Sequence, residues 1–335
     1  MMGRQPTTGD TLTHSPPQAS PPGGQSHAGP LRLACVGHAA IDHVFGIEAF
    51  APRPTKTPAS SYGLRGGGMA FNAALAAARL GASVRLIGRV GDDLGADFLR
   101  DRLAAEGVEP RGLQSVAGAS TSVAAVVVDA QGQRQIFNHR GTALVRAHAL
   151  DLRQLHGADA VLVDPRWVAG AEAALRWARR NGVLCVLDAD VAPQPDLQRL
   201  VPLVDWAVFS ESGLACYAPG LGQDEAMRRA VHHGCQVALV TRGEWGSRRT
   251  LGDGFADCPA PPVLARDTTA AGDVFHAALA LALAGQQPAQ AALRYASAAA
   301  AFKCARGQGV LGAPTRAELM RWMARLPARF RLGRG

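Results

Sequence analysis

The sequence predicts an α/β fold around a mostly parallel sheet, and three observations carry that prediction. From residue 158 onward short apolar runs alternate with longer amphipathic ones, the rhythm of βαβ units. Residues 31–37 form an apolar run closed by glycine, as a buried strand would. Between these regions, residues 123–128 and 134–138 flank the turn Asp129-Ala130-Gln131-Gly132 as a β-hairpin. The hairpin belongs either to the edge of the main sheet or to a small second sheet.

Taken in order, residues 1–30 are rich in Pro, Gly, Ser, Thr and Gln and are expected to form a flexible tail. The strand at 31–37 follows, with Asp42 just beyond it, placed either to bind ligand hydroxyls or to cap a turn. Residues 50–65 read as a polar loop, with Lys56 the only lysine nearby. Gly66-Gly67-Gly68 then opens a small-residue helix that carries Asn72 and stops at Gly81. This is neither the GxGxxG dinucleotide fingerprint nor a P-loop, which needs GK[ST]. A strand at 84–88 leads through a capping turn, Gly91 to Gly95, into a helix that ends at Gly107. After the hairpin come strands at 160–163, 183–187, 206–209 and 237–241, with helices at 171–180, 197–203 and 225–233 between them. Shorter β runs at 247–251 and 254–258 precede helices near 274–284, 290–303 and 318–325. Residues 326–335 are expected to be a basic C-terminal tail. No internal repeat of solenoid length is present.

Composition narrows the class. With 335 residues and 47% hydrophobic side chains, the chain can bury a substantial core in one large domain or two smaller ones. Its six cysteines are scattered without a CxxC pair, which suggests neither zinc nor disulfides and fits a reducing, cytoplasmic setting. No apolar stretch approaches membrane-spanning length, so no membrane association is expected. Six arginines against Glu318 in residues 316–335 carry +5 of the net charge of +8. The excess is therefore terminal, and nucleic-acid binding is not expected. A mildly basic enzyme that handles anionic substrates is the simpler account.

The chemistry concentrates in Asp267-Thr268-Thr269-Ala270-Ala271-Gly272-Asp273. Small residues opening a helix let backbone N–H groups approach an anion, and the helix's positive end favours negative charge there. Gly272 has no Cβ to block that approach. A carboxylate beside a phosphate site would repel it, so Asp273 reads as a general base that takes a proton from an attacking hydroxyl. The plainer reading has Asp267 or Thr269 capping the helix and Asp273 as an ordinary first-turn acid.

In this order and at these separations, Gly67-Gly68-Met69-Ala70-Phe71-Asn72, Gly88-Arg89-Val90-Gly91-Asp92-Asp93 and residues 267–273 resemble the ribokinase-like (PfkB) carbohydrate kinases, over about residues 31–325. That resemblance implies a three-layer sandwich with a central, mostly parallel sheet and a small β-sheet lid from about 43–64 and 121–138. It implies ATP with Mg²⁺ as the phosphoryl donor and a primary sugar hydroxyl as acceptor. Asp273 then resembles the base, and the backbone of Ala271, Gly272 and Asp273 the anion hole, with Ala270 where the signature has its first glycine. Asp42, Gly67, Gly68 and Asn72 resemble sugar contacts. Thr241, Gly243 and Gly246 resemble the nucleotide loop, with Asp267 at its side and residues 300–307 bordering adenine. The family's Asn-x-x-Glu motif falls at Ser210-Glu211-Ser212-Gly213, which keeps neither end residue. Glu211 acting through water is the candidate for magnesium. Potassium dependence stays open, and an exposed lid edge invites a homodimer.

Within that family, residues 163–167, 187–190, 209–214 and 272–276 look closest to the sulfofructose kinases. Their sulfonate-binding Lys, Asn and Arg correspond to Lys56, Asn138 and Arg166. A sulfonate keeps its charge at physiological pH and is matched by a cation and a planar multiple donor. The implied substrate is 6-deoxy-6-sulfofructose, phosphorylated at the C1 hydroxyl. A fructokinase or other sugar kinase is the alternative. A catalytically silent sugar-binding regulator is disfavoured by the presence of Asp273.

Overall fold

Successive side chains of β1 (Arg32–Gly37) point to opposite faces, and each face finds its own core. Leu33 and Cys35 join one buried cluster, Ala34 and Val36 the other. The structure, a computed structural model, describes residues 29–144 and 149–332. The tail expected over 1–30 lies outside the described residues apart from Gly29 and Pro30.

After His38 and Ala39 the chain enters β2 (Ala40–Gly46), and β3 (Ser61–Gly67) returns it to α1 (Met69–Arg79). Then come β4 (Ser83–Val90), α2 (Leu94–Ala105), β5 (Leu113–Ser115), β6 (Ser122–Val128) and β7 (Arg134–His139). The alternation read from the sequence follows as β8 (Ala160–Val163), α3 (Val168–Arg180), β9 (Leu184–Ala189), α4 (Gln194–Leu200) and β10 (Trp206–Ser210). It continues with α5 (Glu211–Tyr217), α6 (Gln223–His233), β11 (Val237–Thr241), β12 (Ser247–Leu251) and β13 (Gly254–Cys258). Helices α7 (Ala271–Ala284), α8 (Ala289–Arg306) and α9 (Arg316–Met323) close the chain.

The main sheet has nine strands in the order β13-β12-β11-β10-β9-β8-β1-β4-β5. It is parallel from β11 to β5, and the edge strands β12 and β13 are antiparallel. One face packs on α1, α7 and α8, the other on α3 and α6. Helix α7 is apolar nearly all round, as a helix buried between others must be. Among the described residues, no helix is long and apolar enough to cross a membrane.

The hairpin lies in a separate four-stranded sheet, β3-β2-β6-β7, which resolves the choice left open by the sequence. Part of the loop expected at 50–65 is strand β3, whose Ser-Tyr-Gly-Leu-Arg-Gly-Gly has little intrinsic β character. Its order comes from pairing residue by residue with β2, from Ala40 opposite Gly67 to Gly46 opposite Ser61. Helix α5 was also not foreseen. Ser210 caps it, its Oγ accepting from Gly213 N at 2.9 Å. Near the C-terminus, Phe330 is only 4% exposed, so the segment expected as a tail from 326 is pinned by an apolar side chain.

Candidate active site

Ligand-binding crevices in open parallel sheets lie beyond the strands' carboxyl ends. Here those ends deliver His38 after β1, Asp164 after β8, Asp190 after β9, Glu211 after β10 and Arg242 after β11. Asp164 is buried and organises the rim. Its Oδ2 accepts the N–H groups of His38 (2.7 Å) and Ala70 (3.1 Å), and its Oδ1 accepts that of Arg166 (2.8 Å). One carboxylate thus ties the exit of β1 to the first turn of α1.

Helix α1 places Asn72 against α7. The Asn72 Nδ2 donates to Asp273 Oδ2 at 2.8 Å across 201 residues of sequence. Asn72 also lines a cavity of about 850 Å³ with Asp42, Arg65, Arg134, Asp267 and Ala270. Asp42 and Asn72 share that lining, and Asp273, which is not itself part of it, is joined to it through the Asn72 amide. The closeness of the small sheet to this cleft explains two glycines. A Cβ on Gly67 would lie 2.1 Å from Asp42 Oδ2, and Gly68 holds φ 96° with its Cβ direction blocked by His38 O at 2.5 Å.

The electrostatics separate the carboxylates. Burial, reinforced by the Asp188 carboxylate, pushes Asp273 up to about 8, against the pull of the Asn72 amide. Burial likewise raises Asp42 to about 6, with Arg65 opposite it on β3 opposing the shift. Asp267 goes the other way. Burial alone would raise it, but hydrogen bonds from Thr269 and Gly309 and the charge of Lys303 bring it to about 2. His276, one turn after Asp273, has Nδ1 3.4 Å from Asp188 Oδ2, and burial lowers its pKa.

The loop before α7 is tightly specified. Asp267 Oδ1 accepts Thr269 N at 2.8 Å and Oδ2 accepts Gly309 N at 2.7 Å. Ala270 takes the left-handed conformation, φ 63° and ψ 13°, so the residue in the signature's glycine position keeps the glycine-like geometry despite its Cβ. Val274 N makes the bond to Ala270 O at 3.0 Å, and the amides that precede it open α7. A Cβ on Gly272 would meet only His276 Cε1, at 3.9 Å, which leaves clear ground for an anion.

A model of the pfkB family of carbohydrate kinases matches residues 31–316. The chain belongs to that family. This kinase is 30% identical to a Bacillus subtilis ribokinase over 296 residues, which are 86% of this chain and 98% of the relative. It is 32% identical to a Klebsiella pneumoniae fructokinase over 238 residues, 65% and 76% of the two chains. Among solved structures, one assigned as a ribokinase from Agrobacterium tumefaciens superposes with a TM-score of 0.83 at 32% identity, covering 89% of this kinase and all of that chain. An Arabidopsis thaliana ribokinase complexed with ribose and ATP gives 0.77 at 24% identity, covering 88% and 98%, and supports the fold.

The remaining sequence candidates are placed as follows. Gly243 and Gly246 flank the 3-10 turn Gly243–Trp245 after β11, where Arg242 N donates to Gly246 O at 2.7 Å. Thr241, the last residue of β11, donates through Oγ1 to Phe209 O at 3.3 Å. Glu211 opens α5 and is exposed. The lost Asn-x-x-Glu ends have a local reason. Ser210 Oγ donates to Asp190 Oδ1 at 2.8 Å, and a Cβ on Gly213 would sit 2.1 Å from Ala189 O, so no glutamate fits there. Among the described residues no cluster of three or more His, Cys, Asp or Glu could hold a metal.

Lys56, Asn138 and Arg166 do not line the cavity with Asp42 and Asn72. Lys56 lies in the exposed loop after β2. Asn138 shares a register row with Ala124 and, through it, Asp42. The Arg166 guanidinium donates to Val191 O at 2.6 Å and lies 3.7 Å from Asp190 Oδ2. Two cations missed in the sequence do belong to the loop before α7. Arg134 on β7 donates to Thr269 Oγ1 (2.5 Å) and Thr268 Oγ1 (2.6 Å), and Lys303 on α8 donates to Asp267 O (2.7 Å). A lone lysine directly after Phe302, at the end of an alanine-rich run, was the one available signal.

Proposed function

We propose that this pfkB-family sugar kinase transfers the γ-phosphoryl group of ATP to a primary sugar hydroxyl, with Asp273 as base. The observation that carries the reading is the Asn72–Asp273 bond at a cleft that also holds Asp42 and the loop before α7. A sugar gripped by Asp42, Asn72 and the backbone at Gly67 and Gly68 would present its hydroxyl to Asp273. The amides of Ala271, Gly272 and Asp273 then face the migrating phosphoryl group, where helix dipole and N–H donors stabilise its equatorial oxygens. Alignment rather than covalent chemistry supplies the rate. Nucleotide would lie along Thr241 to Gly246, with Asp267 and residues 300–307 beside it. Magnesium brought with the nucleotide would neutralise phosphate charge, and Glu211 is the residue that would help to hold it.

Arg134 bridges the small sheet to the loop before α7, so the sheet acts as a lid latched on the phosphate side. Arg134→Ala is expected to lower kcat/KM about tenfold, the worth of its charge-assisted bonds. Steady-state kinetics that match wild type would remove the latch. The lid exposes Tyr62, Ile136 and Phe137, at 59%, 55% and 58%, on strands that supply a face for a second copy of the chain.

For the sugar, the proposal is 6-deoxy-6-sulfofructose, phosphorylated at C1, with Lys56, Asn138 and Arg166 around the sulfonate. Support comes from the register row that joins Asn138 to Asp42 and from Arg166 at the carboxyl end of β8. A neutral ketose or pentose is the second reading, favoured by the existing engagement of Arg166 with Val191 and Asp190. An ATP-coupled assay over sulfofructose, fructose, fructose 6-phosphate and ribose decides. The expected result is the highest kcat/KM on sulfofructose, and preference for any of the others overturns it.

A further inference from the structure

Lys303 is 0% exposed in a stretch of α8 otherwise built from alanine and other small or apolar residues. A buried ammonium gives up its hydration, and lysine gives up more rotamer freedom than almost any side chain. Alanine, as at Ala298 and Ala299, would avoid both losses. The lysine is instead fully engaged. Its Nζ donates to Asp267 O at 2.7 Å and lies 3.5 Å from Asp267 Oδ2. That carboxylate in turn accepts Thr269 N and Gly309 N. The next residue on α8 adds a second clamp, Cys304 O accepting Arg266 N at 2.9 Å. The end of α8 thus fixes the loop that sets Ala270 left-handed and aims the first turn of α7.

We propose that Lys303 is a positioning residue, a built-in monovalent cation that locks residues 266–270 and places positive charge behind the anion hole. Because it is fully buried, it acts through the loop and does not touch sugar or nucleotide. Its role rests on the reading of 270–273 as the phosphate-binding turn. A kinase with its own fixed cation at this loop needs none from solution.

Two substitutions separate charge from packing. Lys303→Ala removes the ammonium and leaves room for a small cation, whereas Lys303→Met removes the charge and fills the space. Both are expected to lose roughly 10- to 100-fold in kcat, with the nucleotide KM moving far less. Potassium, ammonium or methylammonium chloride at about 0.1 M is expected to restore at least about fivefold to the alanine variant and nothing to the methionine variant. Hydrogen exchange gives a readout independent of turnover. The Thr269 and Gly309 amides should lose protection in both variants and regain it with added cation only in Lys303→Ala.

Wild-type turnover is expected to stay constant when choline is replaced by potassium. Stimulation of wild type by about fivefold or more overturns the proposal, and this test stands even if neither variant folds. Folded variants with wild-type kcat, or a loss that no small cation relieves, overturn it as well. If Asp273→Asn keeps turnover, the anion-hole reading itself fails. If Asp273→Asn is inactive while Lys303→Ala is not, only the role of Lys303 fails.

Discussion

Asp273→Asn is expected to lose roughly 10²–10⁴ in turnover while nucleotide affinity is kept. The amide preserves shape and cannot accept the hydroxyl proton as a carboxylate does. In the proposed arrangement nucleotide binding rests on the amides and the loop, which the substitution leaves in place. A variant that turns over like wild type would falsify the assignment of the base. The raised pKa of about 8 gives a second signature. As the proposed base Asp273 would work ionised, so kcat/KM of the wild type should climb as pH rises toward and through about 8, and the residual rate of the variant should not. Stability runs in the opposite sense. The folded protein holds the Asp273 proton more tightly than the unfolded chain, whose carboxylate titrates near 3.8. Between those values the folded state binds more protons, and its stability therefore falls as pH rises. Removing the carboxylate should make the variant melt above wild type near pH 9, with the difference shrinking toward pH 4. Loss of rate with gain of stability is the mark of a site strained for function.

Gly68→Ala is the second large effect. Gly68 stands immediately before α1 at φ 96° and ψ 146°, a region that only glycine occupies without strain. An added Cβ would lie 2.5 Å from His38 O and 2.9 Å from Ala39 Cα, both backbone atoms with little freedom to yield. The expected cost is about 3 kcal/mol or more, which lowers the melting temperature by roughly 5–10 °C in a domain of this size. Asn72 is one helical turn further on, its N–H donating to Gly68 O at 2.8 Å. Displacing Gly68 therefore displaces the amide that meets Asp273, and kcat/KM should fall at least about tenfold. Calorimetry showing a melt within about 1 °C of wild type would refute the strain at Gly68.

Much of this was legible because it is local. The apolar strands of the main sheet, the turn that opens α1 and the small-residue entry to α7 each announce themselves within a few residues. Strand β3 did not, because its glycines conceal a pairing that only β2 enforces. Helix α5 was hidden for the opposite reason: its cap, Ser210, sat inside a stretch read as a lost motif. The cations around the loop before α7 were hardest to see. Arg134 reaches Thr268 across 134 residues and Lys303 reaches Asp267 across 36, distances over which no periodicity speaks. Asp164 belongs with them, since its value lies in joining His38 to Ala70.

Two of the small sheet's four connections to the body are very short, His38 and Ala39 before β2 and Gly68 after β3, while 116–121 lead into β6 and 140–159 lead away from β7. With so little slack, a swing of that sheet must carry the Asp42 carboxylate along and tug the start of α1. If Asp42 grips the sugar as proposed, opening that sheet would loosen the grip in the same stroke.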